Sequence, residues 1–222
     1  MHWRPLAGAC LLTLATIAGG GAAEIPPDSP AQKALFDSDQ LHNVTAPIAL
    51  DYRFSRSGIE TLSYDDKVVA DIRTLHPEGG KDVWISFLSG DRQMPIPPVM
   101  NFHGNPLLMV FLEHDVNEMR DETGRPAALY RTLIRRALFD RARVTPTHIT
   151  LAGREQPASE IVITPFDHEP LLANIDGVPG KSYHFVLFDS VPGTLYQISS
   201  RLTLAQPGAV LIEAMTFTGT TP

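Results

Sequence analysis

The chain has 222 residues, with 18 Lys and Arg against 25 Asp and Glu, a formal charge of −7 and a pI near 5.6. It is long enough for one domain with a sizeable core, and its acidic balance repels phosphates, which argues against a nucleic-acid partner. A single cysteine, Cys10, excludes an intrachain disulfide.

The first element is an export signal. Arg4 precedes an apolar run from Leu6 to Ile17, and Gly19-Gly20-Gly21-Ala22-Ala23 supplies the small residues of a cleavage site. The run is shorter than the ~20 residues of a membrane-spanning helix. Residues 1–23 therefore read as a signal peptide cut after Ala23, leaving an exported protein, periplasmic or secreted, without a stable membrane anchor. The short signal and plain composition point to a bacterial envelope. Leu6-Ala7-Gly8-Ala9-Cys10 loosely matches a lipoprotein cleavage box, but the apolar core continues past the cysteine instead of preceding it. Cleavage at Ala23 removes Cys10 and with it any thiol chemistry.

Residues 24–46 carry Pro26, Pro27 and Pro30 and little periodicity, so they read as an extended lead-in with one helical turn near Gln32–Phe36. Asn43-Val44-Thr45 matches the acceptor pattern for N-glycosylation, a pattern frequent by chance. Residues 47–222 read as a single domain. Leu50, Tyr52 and Phe54 alternate with polar residues, the period of a half-buried strand, and Val68, Ala70 and Ile72 repeat it. Asp82–Leu88 is apolar on both faces, more like a central strand. Met94–Val99 holds three prolines and predicts a loop or distorted edge.

A helical hairpin is expected over about 105–142. Asn105-Pro106 is a helix start; Leu108, Leu112, Val116 and Met119 then recur at helical spacing until Gly124. Pro126 opens a second helix with Leu129, Tyr130, Leu133, Ile134, Ala137 and Leu138 on its apolar side. The short linker makes the pair antiparallel. Strands return at Thr147–Leu151 and Glu160–Thr164, flanking a turn, then at Ser182–Phe188. Pro192-Gly193 suits a type II turn before strands from Tyr196 to Leu204 and from Val210 to Phe217. The fold class is α+β: a curved antiparallel sheet, half-barrel-like, with an inserted antiparallel helical hairpin.

Catalytic templates are absent: there is no Gly-x-Ser-x-Gly elbow, phosphate loop, dinucleotide fingerprint or His-Glu-x-x-His. The densest polar group is Glu113, His114, Asp115, Glu118, Asp121 and Glu122 on the first helix. With His103 these offer imidazole and carboxylate ligands, but a second helix bearing Arg125, Arg131, Arg135, Arg136 and Arg141 explains them better as charge complementation. Arg131 and Arg135 are expected to face Asp115, Glu118 and Glu122. Asp115 lies almost inside the apolar stripe, where it could face a ligand. The cluster Asp167-His168-Glu169 reads as a solvated turn and His184 as a half-buried strand residue. No catalytic residue, metal set or cofactor is assigned.

Strands Val83–Leu88, Tyr183–Phe188 and Val210–Phe217 carry bulky apolar groups on both faces, so the second face needs a cover, a partner or an apolar ligand. Export, short-turned antiparallel strands and one helical insertion, over roughly Ala46–Gly219, resemble the periplasmic lipoprotein-carrier superfamily, with Leu50-Asp51-Tyr52-Arg53-Phe54 as the first long strand. That resemblance implies an incomplete β-barrel wrapped around helices and an acyl-chain cavity; it transfers no site residue. The expectation is an exported non-catalytic protein binding an apolar, lipid-like ligand or an envelope partner. The expected lining is Trp84, Leu108, Leu112, Asp115, Met119, Phe185 and Phe217. The alternatives are a hydrolase with a site near the hairpin and an assembly factor of an envelope complex.

Overall fold

A computed structural model describes residues 29–151, 153–204, 206 and 208–222; the signal peptide read over residues 1–23 lies outside them. Among the described residues, alternating apolar side chains build nine strands: β1 (Ile48–Ser57), β2 (Tyr64–Leu75), β3 (Lys81–Phe87), β4 (Val99–Phe102), β5 (Arg143–Leu151), β6 (Arg154–Ile163), β7 (Ser182–Leu187), β8 (Leu195–Thr203) and β9 (Val210–Thr221). They form one antiparallel sheet in the order β4-β3-β2-β1-β9-β8-β7-β6-β5. The order shows two meanders, one on each side of the helices in sequence, joined where β1 pairs with β9. Register shifts at Asp51/Tyr52, Ile72/Thr74, Lys81/Val83 and Val186/Leu187 are the bulges that bend such a sheet. The two end strands, β4 and β5, do not pair, so the sheet is not closed into a barrel.

Between the meanders stand α2 (Leu107–Thr123) and α3 (Ala127–Asp140), after a short α1 (Pro30–Gln32) that continues as a π-helical turn, Lys33–Asp37. Asn105 starts α2 as its position predicts: its Oδ1 accepts the Leu107 N–H at 3.1 Å. Gly124 ends it at φ 68°, the left-handed conformation that glycine adopts without strain. No helix among the described residues is long and apolar enough to cross a membrane.

The core lies between the helices and one face of the sheet. Leu50, Tyr52 and Phe54 of β1, Val68, Ala70 and Ile72 of β2, and Val83, Ile85 and Phe87 of β3 pack there with Phe111, Tyr130 and Ile134. Within residues 29–46 the helical turn expected near Gln32–Phe36 is present, as α1 and its π-helical continuation, and the segment packs on the core. Ser29 caps α1 by accepting the Gln32 N–H at 3.0 Å, and Ala31, Leu35, Leu41 and Val44 are buried in the same core. The i,i+4 spacing of Ala31 and Leu35 puts both on the packed side of the turn.

Asn43 is committed to structure. Its Nδ2 donates to the carbonyls of Asp189 and Val191 at 2.9 and 2.8 Å, and its Oδ1 accepts from Gly193 N at 2.9 Å. The nitrogen that a glycan would need is already spent on the turn. That turn is of the expected kind: Thr194 N–H donates to Val191 O at 3.0 Å, with Gly193 at φ 79°.

The opposite sheet face is covered in places. Ile149 of β5 and Val186 of β7 are buried under Phe188 and Val191 from the loop after β7, with Ala158, Tyr196 and Phe217 alongside. On β3, the outward Trp84 ring is covered by the Arg73 guanidinium, 4.5 Å from its centroid. This explains why β3 reads as apolar on both faces although its neighbour β4 is a short edge strand.

Candidate functional site

Helix α2 presents two unlike surfaces. Toward the sheet it carries Leu108, Phe111, His114, Asp115 and Met119, all buried. Toward α3 and the N-terminal helical turn it carries Met109, Leu112, Glu113 and Val116. These meet Gln32, Phe36, Arg131, Ile134, Arg135, Leu138 and Phe139 around a groove of about 340 Å³. The bed is apolar and the rim cationic. Arg131 is held there by Glu113, with Nε donating at 2.9 Å and Nη2 also bonded to the carboxylate. Arg135 is exposed and has no ion-pair partner among the described residues. Ser29 Oγ donates to Leu138 O at 2.7 Å, fixing the N-terminal segment along this edge.

The expected lining is divided by this arrangement. Leu112 is in the groove. Leu108, Met119 and Phe185 belong instead to the packed cluster between helix and sheet, buried to 1%, 2% and 0% exposure, because helical and strand periodicity turn them inward on facing elements. Trp84 points away from the helices: it alternates with Val83 and Ile85, which face inward. Phe217 packs edge-on against Tyr52 with centroids 5.5 Å apart, at the junction of β1 and β9. Met109, Phe36 and Phe139 also line the groove without having been singled out in the sequence, and Ile134 lines it although it was read only as part of the apolar side of the second helix. Met109, 57% exposed, carries the only advance signal, an apolar residue on the polar side of a helix.

Asp115 does not meet the arginines of α3. Completely buried, it accepts from Lys181 Nζ at 2.5 Å, from the Tyr183 hydroxyl, and from Ser200 Oγ at 3.3 Å. Burial first, and the Asp115 charge second, hold the Tyr183 phenol well above its ordinary range, so it stays a donor. Glu118 takes Arg56 of β1, whose Nη1 lies 2.8 Å away; the same nitrogen is 3.3 Å from Glu213 of β9, and Nη2 is 3.9 Å from Glu122. The complementation read between the two helices therefore reduces to Arg131 with Glu113. Asp115, Glu118 and Glu122 turn toward the sheet, since they follow one another at i, i+3 and i+7 along the sheet-facing flank, and the exposed Asp121 pairs with Arg120 on its own helix, 2.8 Å away.

Burial pushes the Glu118 carboxyl up, and the neighbouring Glu213 charge adds to it. Burial also raises Glu213, but His114, Arg56 and Lys181 outweigh that and hold it below its ordinary range. Burial lowers His114, and Glu213 and Glu118 more than restore it, so its net shift is upward. Glu213 was legible as an anomaly, a carboxylate in the inward slot between Leu211 and Met215. Nothing local marks Lys181 or Arg56 as its companions.

The remaining histidines lie apart. His184 Nδ1 is 2.8 Å from Glu160 on the outer face. His168 sits at φ 65° in a loop beside α3. His103 lies near Gly79, away from the carboxylates of α2.

Neither a family model nor a curated protein matches the chain. Among solved structures, lipoprotein LppX of Mycobacterium tuberculosis is similar at a TM-score of 0.31 and 10% identity, over 81% of this chain and 90% of that one. This is a loose likeness of fold, and it carries no argument about ligand or partner.

Proposed function

We propose that this is an exported, non-catalytic binding protein whose ligand is an anionic, single-chain amphiphile held in the groove between α1, α2 and α3. The groove is the observation that carries the reading. An apolar bed with few polar groups is the usual chemistry of a lipid-like site, and about 340 Å³ is at the small end of ligand pockets, roughly 300–1,000 Å³. One acyl chain fits that space better than two. The Arg135 guanidinium, which has no ion-pair partner among the described residues, supplies the counter-charge at the rim for a carboxylate or phosphate headgroup. The named walls offer no hydroxyl, thiol or imidazole nucleophile, which favours binding over hydrolysis. Export rests on the signal pattern of residues 1–23, and the mature chain should begin at Glu24 by mass analysis.

The test is titration with a fluorescent dodecanoate and with its neutral alcohol. The acid should bind with a Kd in the micromolar range or better, about −8 kcal/mol, and Arg135→Glu should weaken the acid while sparing the alcohol. If neither probe binds, the apolar-ligand reading is wrong, and an envelope protein becomes the better occupant of the groove.

A further inference from the structure

His114 and Glu118 stand one helical turn apart on α2, and Glu213 rises opposite them from β9. His114 Nε2 is 3.8 Å from Glu118 Oε1 and 3.8 Å from Glu213 Oε1, and the three ligand atoms lie within 4.8 Å of one another. Those separations are too long for hydrogen bonds. Yet His114 is 8% exposed and Glu213 2%, and His114 Nε2 and Glu213 Oε1 are buried without a hydrogen-bond partner among the described residues. Glu213 Oε1 keeps the Arg56 charge at 3.3 Å, but the His114 nitrogen has nothing, and leaving such a group unmade costs about 1–3 kcal/mol, so an inert core would close the gap. Packing keeps it open. The imidazole is wedged against Phe54 and Phe87, with ring centroids 5.6 and 5.3 Å away.

A nitrogen lone pair and two carboxylates around an ion-sized gap is a donor set for a borderline divalent metal. Tetrahedral bonds of about 2.0–2.2 Å put neighbouring ligands roughly 3.3–3.6 Å apart, so the 3.8 Å separations need close by only a few tenths of an ångström around an ion. We propose that His114 Nε2, Glu118 and Glu213 bind a divalent first-row transition ion of the zinc class. Arg56 is the ion's neighbour and competitor. It reaches both carboxylates yet leaves His114 Nε2 unbonded, and its charge lowers the affinity for a second cation. The site is on the sheet side of α2, so it stands or falls independently of the groove.

The test uses the full chain, stripped with chelator, loaded with cobalt(II), dialysed, and read by its visible d–d bands and by elemental analysis. One ion per chain is expected, displaced by zinc and lost in His114→Ala and Glu213→Gln. Because those variants remove buried groups, circular dichroism must show that they fold. A gain of function gives the second arm: Arg56→Gln should bind cobalt about tenfold or more tightly, which a misfolded chain would not do. Equal cobalt uptake by the native chain and His114→Ala, or no gain in Arg56→Gln, overturns the site.

Discussion

Each side of α2 departs from the usual amphipathic arrangement in its own way. Against the sheet, where a helix ordinarily turns its apolar stripe, it buries His114 and Asp115 among Lys181, Tyr183, Ser200 and Glu213. Toward α3 and solvent, where polar residues are ordinary, Met109 and Leu112 open onto the groove. The buried side shows how a core tolerates charge: each ion needs a partner from another element, and removing one strands the other. The groove side shows the reverse, apolar surface left partly uncovered, as binding sites leave it.

The buried side should break hardest. Asp115→Ala leaves the Lys181 ammonium in the core without its carboxylate, an expected loss of about 3–5 kcal/mol of unfolding free energy. Urea denaturation measures it. Replacing the pair together, Asp115→Leu with Lys181→Met, should restore most of that stability. A single-variant loss below ~1 kcal/mol would mean that Lys181 reaches water and that the contrast between the two sides is false.

On the groove side, packing and binding should separate. Leu112→Trp fills the groove, so dodecanoate affinity should fall about tenfold, near 1.4 kcal/mol, while the urea midpoint stays within error of the native chain. A parallel loss of stability would place Leu112 in the core instead of in a site.

A third carboxylate sharpens the comparison through pH. Burial raises Asp66, but the Ser89 hydroxyl at 2.7 Å, the Lys67 N–H at 2.9 Å and Arg92 at 3.1 Å more than reverse it, and the net shift is downward. A lowered carboxylate stabilises the fold above its unfolded pKa, near 3.9, and that stabilisation is lost as pH falls through the folded value. The stability difference between the native chain and Asp66→Asn should therefore be flat above about pH 5 and vanish at the acid end. A difference that persists at pH 2 would assign the effect to shape instead of charge.

The smallest effect is expected for the pair on the groove rim. Arg131 and Glu113 are 47% and 40% exposed, so a double-mutant cycle of Arg131→Ala with Glu113→Gln should give a coupling of about 0–1 kcal/mol. Coupling as large as that of the Asp115 network would show that the rim is as desolvated as the core.

Much of the framework was legible because it follows from neighbours in the chain. The alternation of Leu50, Tyr52 and Phe54, the Asn105-Pro106 start and Gly124 end of α2, and the Pro192-Gly193 turn are set by local sterics and hydrogen bonds. Asp115 inside an apolar stripe was visible as an anomaly, and Glu213 in an inward strand slot carried the same signal without being read. Their partners were not visible. Asp115 meets Lys181 across 66 positions, Arg56 meets Glu118 across 62, and β1 pairs with β9 from the far end of the chain. Such choices depend on which elements the sheet order brings together, and periodicity carries no information about that order. Complementing the helix charges within the hairpin was the nearest local solution. The tertiary structure instead gave most of the acids of α2 to the sheet, since buried carboxylates need cations that are themselves removed from water. That left the side of α2 toward α3 free to form a groove.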